Sequence, residues 1–185
     1  MSSLTASARL LAVLLLLGAC TTQVPSTSRL DSSGLTVVTN TDVILLARNV
    51  RTLAAGARDY AYVGPVEVNR MGHREYYFWL GLASTVDRDL AGLIPPEAVA
   101  VALIVDGVPM ILPLTEWHER LDVAPYDITA PVYATLVAQT SLDQIRHIAA
   151  ARTVEFHVIV NAGSTAHYSR WQGSWASWSE FATSN

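Results

Sequence analysis

Two of the five histidines stand on neighbouring predicted strands, where a suitable register could bring them together. Glu155 and His157 alternate along the apolar run Val154–Val160, so a strand there puts both side chains on one face. His167 lies across the turn signal Asn161–Ser164, on the next predicted strand, Ala166–Gln172. Two imidazoles and a carboxylate at one spot form a zinc-type ligand set, with nitrogens about 2.0–2.1 Å from the ion. The same residues also read as a solvated sheet face carrying cross-strand polar pairs. Spacing alone favours that plainer reading, so the sequence assigns no metal and no cofactor.

A second group is Glu116-Trp117-His118-Glu119. On a helix Glu116 and Glu119 share a face and His118 points elsewhere. The run misses the His-Glu-x-x-His pattern, because Asp122 stands where the second histidine would be. A polar loop between strands explains it as simply. His73 sits at a hairpin turn between Arg70 and Arg74, an exposed tip that could contact an anionic group. Serine, histidine and aspartate are all present, but there is no Gly-x-Ser-x-Gly elbow. No catalytic residue is assigned; a hydrolase or metal enzyme around His118 or His157 ranks last among the functional readings.

The aromatics offer a different chemistry. Trp171, Trp175, Trp178 and Phe181 crowd the last fifteen residues, and Tyr76-Tyr77-Phe78-Trp79 forms one run. Such rings dominate interfaces and stack on apolar ligand faces. Tyr77, Trp79, Trp171, Trp175 and Trp178 are therefore the candidate residues for a small ligand, a glycan or a lipid. Against this, a tail helix that packs its Trp175, Trp178 and Phe181 stripe onto a sheet needs no ligand, and that reading is favoured.

Composition removes much of the remaining chemistry. All 12 basic residues among the 185 are arginine. Without lysine there is no Schiff-base lysine, no P-loop lysine and no Ser-x-x-Lys acyl-enzyme site. A single cysteine, Cys20, excludes an intrachain disulfide and a multi-cysteine metal site. The net charge of -4 and the absence of any arginine run argue against nucleic acid as a partner.

The amino terminus carries an address. Met1–Arg9 is polar with one positive charge, Leu10–Leu17 is apolar, and small residues lead to Cys20. The apolar run is too short for a helix across a hydrocarbon core of about 30 Å, and the three parts together describe a secretory signal. Leu17-Gly18-Ala19-Cys20 resembles the lipobox of bacterial lipoproteins. That resemblance implies cleavage before Cys20, lipidation of the cysteine, and a membrane anchor through the attached chains. Thr21 follows where an Asp would retain the protein at the inner membrane, which in a Gram-negative host implies an outer-membrane location facing the periplasm. The segments DYAYVGPVEVNR and REYYFWLGLAST, from Asp59 and from Arg74, resemble lipoproteins of proteobacteria to which no activity is attached.

These side chains need elements to hold them. Residues 1–19 read as signal, 20–34 as the lipidated cysteine and a Ser/Thr-rich flexible tether, and 35–185 as one domain. A hairpin is expected from Tyr60–Asn69 and Glu75–Ala83, with bulk on both faces of the second strand. Asp106-Gly107 predicts a tight turn between Ala98–Val105 and Val108–Leu112; Pro109 and Pro113 put the latter at an edge. A strand is expected through Val43–Ala47, a helical turn near Leu53–Ala57, and a further strand at Pro131–Ala138. Ser141-Leu142-Asp143-Gln144 matches a capping box opening a helix over Leu142–Ala151, and Ser174 caps a last short helix. The fold class expected is α+β: a mainly antiparallel β-sheet or sandwich with one or two short helices packed on it. The functional expectation is a non-enzymatic structural or protein-interaction module of the cell envelope, with an envelope protein as its partner.

Overall fold

The computed structural model describes residues 27–30, 34–52, 54–86, 98–115, 124–132, 134–160 and 165–184. Among them the strands are β1 (Thr27–Leu30), β2 (Thr36–Thr39), β3 (Ile44–Asn49), β4 (Arg58–Arg70), β5 (His73–Ser84), β6 (Ala98–Val105), β7 (Val108–Thr115), β8 (Ala134–Thr140), β9 (Val154–Val160) and β10 (Thr165–Gln172). Two helices, α1 (Leu142–Ala150) and α2 (Trp178–Ser184), accompany them, and a 3-10 turn, Trp175–Ser177, leads into α2.

Alternation sets which face each residue takes. Ile44 and Leu46 of β3, Ala61 and Val63 of β4, and Phe78, Leu80 and Leu82 of β5 share one buried cluster with Val101, Leu103, Phe156, Val158 and Tyr168. These inward rows meet because the sheet closes on itself. β4 pairs with β3 and β5, β5 with β8, and β8 with β7; β7, β6, β9 and β10 then continue in order back to β3, every pairing antiparallel. Eight strands make a barrel just wide enough to be filled by side chains. The sheet is therefore closed, which corrects the sandwich alternative; the reason is that β10 finds a second partner in β3, with Ser169 opposite Ala47. Strands β9, β6, β7 and β8 lie in that spatial order, a Greek-key arrangement.

β4 is long enough to serve two partners along one edge. Its first six residues pair with β3, and Val66–Asn69 pair with β2. Pro65, which has no N–H to give a ladder, sits at the junction between the two pairings, and its carbonyl accepts a 2.5 Å bond from the Tyr126 hydroxyl. β1, inside the segment read as tether, pairs with β2 outside the closed barrel.

The bulk on both faces of β5 is explained by cover on both sides. Phe78, Leu80 and Leu82 point into the barrel, while Tyr77 and Trp79 join Leu35, Val37, Val66, Val68, Tyr126 and Val137 in a second cluster on the outer wall. Fully burying one such side chain contributes about 1.5–3 kcal/mol.

The helices pack across one end of the barrel. Ser141 caps α1 with both halves of the capping box formed, and Ile145, Ile148 and Ala149 turn inward. Trp178 of α2 stands edge-on to Phe78 with centroids 5.4 Å apart, and Phe78 stacks on Phe156 at 6.0 Å. Of the helical turn expected near Leu53–Ala57, Leu53 lies outside the described residues; Ala54–Ala57 form a single turn, with Ala57 N–H donating to the Ala54 carbonyl at 3.1 Å, and Val50 N–H donates to the Ala57 carbonyl at 2.9 Å across the β3–β4 connection. The Asp-Gly turn forms as expected, with φ of 48° at Asp106 and 84° at Gly107.

Candidate functional site

Antiparallel pairing of β9 and β10 fixes Phe156 opposite Tyr168 and His157 opposite His167. Phe156 and Tyr168 fill the barrel, so both histidines project from its outer wall. Their ring centroids lie 4.8 Å apart with planes inclined by 53°. Glu155, two residues before His157, shares the face and brings Oε2 to 3.7 Å from His157 Nε2. One ligand atom from each of Glu155, His157 and His167 lies within 4.8 Å of the others. Both Glu155 and His167 are exposed, whereas His157 is half-buried and its Nε2 is shielded, with no hydrogen-bond partner among the described residues.

Sheet neighbours explain that shielding. Across the β6–β9 ladder Ala102 stands opposite His157 and Ile104 opposite Glu155; on β7, Ile111 stands opposite Ala102. The histidine pair thus borders an apolar wall. On the other flank His167, Ser169, Arg170 and Trp171 border a surface cleft of about 360 Å³ with Ala47, Arg48 and Asn49. Two imidazole nitrogens and a carboxylate oxygen suit borderline divalent ions such as zinc.

Among the aromatic candidates, Tyr77, Trp79, Trp175 and Trp178 are all buried. Tyr77 donates to Glu75 Oε2 at 2.8 Å, and burial together with that carboxylate raises its pKa. Trp79 packs against Tyr126 at 5.3 Å, and Trp175 against Trp178 at 5.1 Å. These four rings are packing groups. Trp171 alone of the five is exposed, at 57%, and the Arg58 guanidinium lies over it at 4.6 Å. His73 is at the exposed tip expected, 3.6 Å from Glu75. Cys20, Glu116, His118 and Glu119 lie outside the described residues.

Charged residues inside the barrel escaped the sequence reading. Asp59 and Glu67 are buried on the inward face of β4, meeting Arg48 at 2.6 Å and Arg74 at 3.6 Å. The available signal was parity: both carboxylates fall in step with Ala61 and Val63. No family model, curated protein or solved structure matches the chain.

Proposed function

We propose that this chain is a lipoprotein held through Cys20 at the outer membrane, facing the periplasm, whose barrel acts by binding an envelope protein rather than by catalysis. The anchor rests on the Leu17-Gly18-Ala19-Cys20 lipobox and on Thr21 after it. The barrel's polarity agrees with a lipid anchor. Its interior is mainly apolar, with Asp59 and Glu67 buried there and paired to arginines, and its outer wall carries groups such as Glu155 and His157, unlike a barrel that spans a bilayer around a polar lumen.

The observation that carries the interaction reading is the outer face of the β6–β7 hairpin. Ile104 faces Pro109 and Ala102 faces Ile111, an apolar strip in which Ile111 is 62% exposed; Val108 at the hairpin turn is 61% exposed. Exposed apolar strips of this kind mark contact surfaces. The partner would be held by side chains and not by an added strand. The two-residue turn makes Val105 and Val108 a hydrogen-bonded pair, so Pro109 and Pro113 occupy positions whose N–H would face away from β6. There they blunt the open edge of β7, which meets β8 only at Leu114 and Thr115 among the described residues.

A photo-crosslinking residue placed at Ile111 in intact envelopes tests this. The expected result is a discrete adduct from Ile111 that is missing from a probe at the fully exposed hairpin residue Met71. No adduct from Ile111, or the same adducts from both positions, overturns the interaction reading. Full membrane retention of Cys20→Ser on fractionation overturns the anchor. A second reading, a glycan- or ligand-binding module, is favoured by Trp171 alone, exposed beside the cleft that His167 borders.

A further inference from the structure

We infer that Glu155, His157 and His167 form a zinc(II) site on the outer wall of the barrel. The inference is independent of the interaction reading, since it needs no partner protein. Three observations carry it. The β9–β10 register places the two histidines directly opposite each other, so the backbone itself delivers both imidazoles to one spot. The ligand atoms lie within 4.8 Å of one another, whereas tetrahedral bonds of about 2.0–2.1 Å imply edges of roughly 3.4 Å between ligand atoms. Side-chain rotation on one exposed carboxylate and one exposed imidazole closes that gap without moving the sheet. Finally, His157 Nε2 is shielded from solvent yet has no hydrogen-bond partner among the described residues; a shielded nitrogen normally finds one, and a metal ion would satisfy it.

The donor set chooses the ion. Two neutral imidazoles and a carboxylate, with no thiolate, suit a borderline divalent metal and are poor ligands for calcium or magnesium. Three protein ligands leave a fourth tetrahedral position facing solvent, open to water or to a donor from outside the chain. The neighbouring Ala102 and Ile111 make one side of that position apolar, which lowers the local dielectric and strengthens the ion's hold on its ligands.

The test uses the full chain in detergent, stripped with a chelator and dialysed against zinc, with cobalt(II) as a spectroscopic substitute. One zinc per chain in the micromolar range is expected, along with the intense visible absorption of tetrahedral cobalt. His157→Gln and His167→Gln are each expected to weaken zinc binding by roughly a hundredfold, the upper end of what loss of supporting groups alone costs a metal site. Glu155→Gln should weaken it less, and His73→Gln and His118→Gln should leave it unchanged. His167 is exposed, so its variant is expected to keep the wild-type melting temperature without metal, which separates lost ligation from lost folding. Zinc binding that survives in both His157→Gln and His167→Gln, that follows His73 or His118 instead, or that appears only at millimolar zinc overturns the assignment.

Discussion

Arg48 and Asp59 face each other across the β3–β4 ladder, and their side chains meet inside the barrel with Nη2 2.6 Å from Oδ2. The Asp59 side chain has no solvent exposure. Ser84 donates to its other oxygen at 3.0 Å, and the Arg48 guanidinium also lies 5.4 Å from the centroid of the buried Tyr168 ring. A charge so placed depends on its counter-ion. Arg48→Met is therefore expected to destabilise the fold by about 3 kcal/mol, because it leaves a buried carboxylate without its cation. Adding Asp59→Asn to that variant should restore part of the loss. Urea denaturation of the three proteins measures this, and a loss near the roughly 0–1 kcal/mol of an exposed pair would mean that solvent screens the contact.

The tryptophans of the tail divide into two kinds. Trp178 is fully buried between Phe78 and Trp175, whereas Trp171 is exposed beneath Arg58. Trp178→Ala removes a large ring from the packed barrel end and is expected to cost about 3–5 kcal/mol. Trp171→Ala should stay within about 0.5 kcal/mol, as for ordinary surface changes. Thermal unfolding of both variants checks the contrast; equal losses would mean that Trp171 is also a structural ring.

That division shows how far the sequence could be read. Strand β9, helix α1 with its Ser141 cap and the Asp106-Gly107 turn were legible, because each depends on neighbours along the chain: alternation, a capping box, a residue pair that tolerates positive φ. Closure of the barrel was not, since it rests on β10 meeting β3 across more than a hundred residues and no local pattern records that pairing. The Glu155, His157 and His167 trio was visible as a candidate, yet its convergence waited on the β9–β10 register. A slip of one residue would have sent one imidazole to the opposite face of the sheet. Trp79 was misleading for a related reason: alternation puts it on the face opposite Phe78 and Leu80, but does not show that Tyr126 covers that face.

Asp106 holds two segments together. Its carboxylate accepts from Thr153 N–H at 2.9 Å, Arg152 N–H at 3.0 Å and the Thr153 hydroxyl at 3.2 Å, tying the β6–β7 turn to the chain that leaves α1. The Thr153 backbone bond is the chief reason its pKa falls below the ordinary 3.8; loss of solvation opposes it, and the Thr153 hydroxyl, the Arg152 N–H and the Arg152 charge add to the lowering. The unfolded chain therefore takes up this proton at a higher pH than the folded one, and the stability that the carboxylate contributes grows with pH. Asp106→Asn keeps a residue that tolerates the 48° φ but removes the charge. Its deficit against the wild type is expected to be full above about pH 5 and to fade as pH falls through the lowered folded-state pKa. Asp106→Ala also loses the tolerance for positive φ, so its deficit should persist in acid. Melting temperatures of the three proteins between about pH 7 and pH 2 decide the matter. An Asp106→Asn deficit that stays constant across that range would show that the bonds to Thr153 and Arg152 act through geometry alone and not through charge.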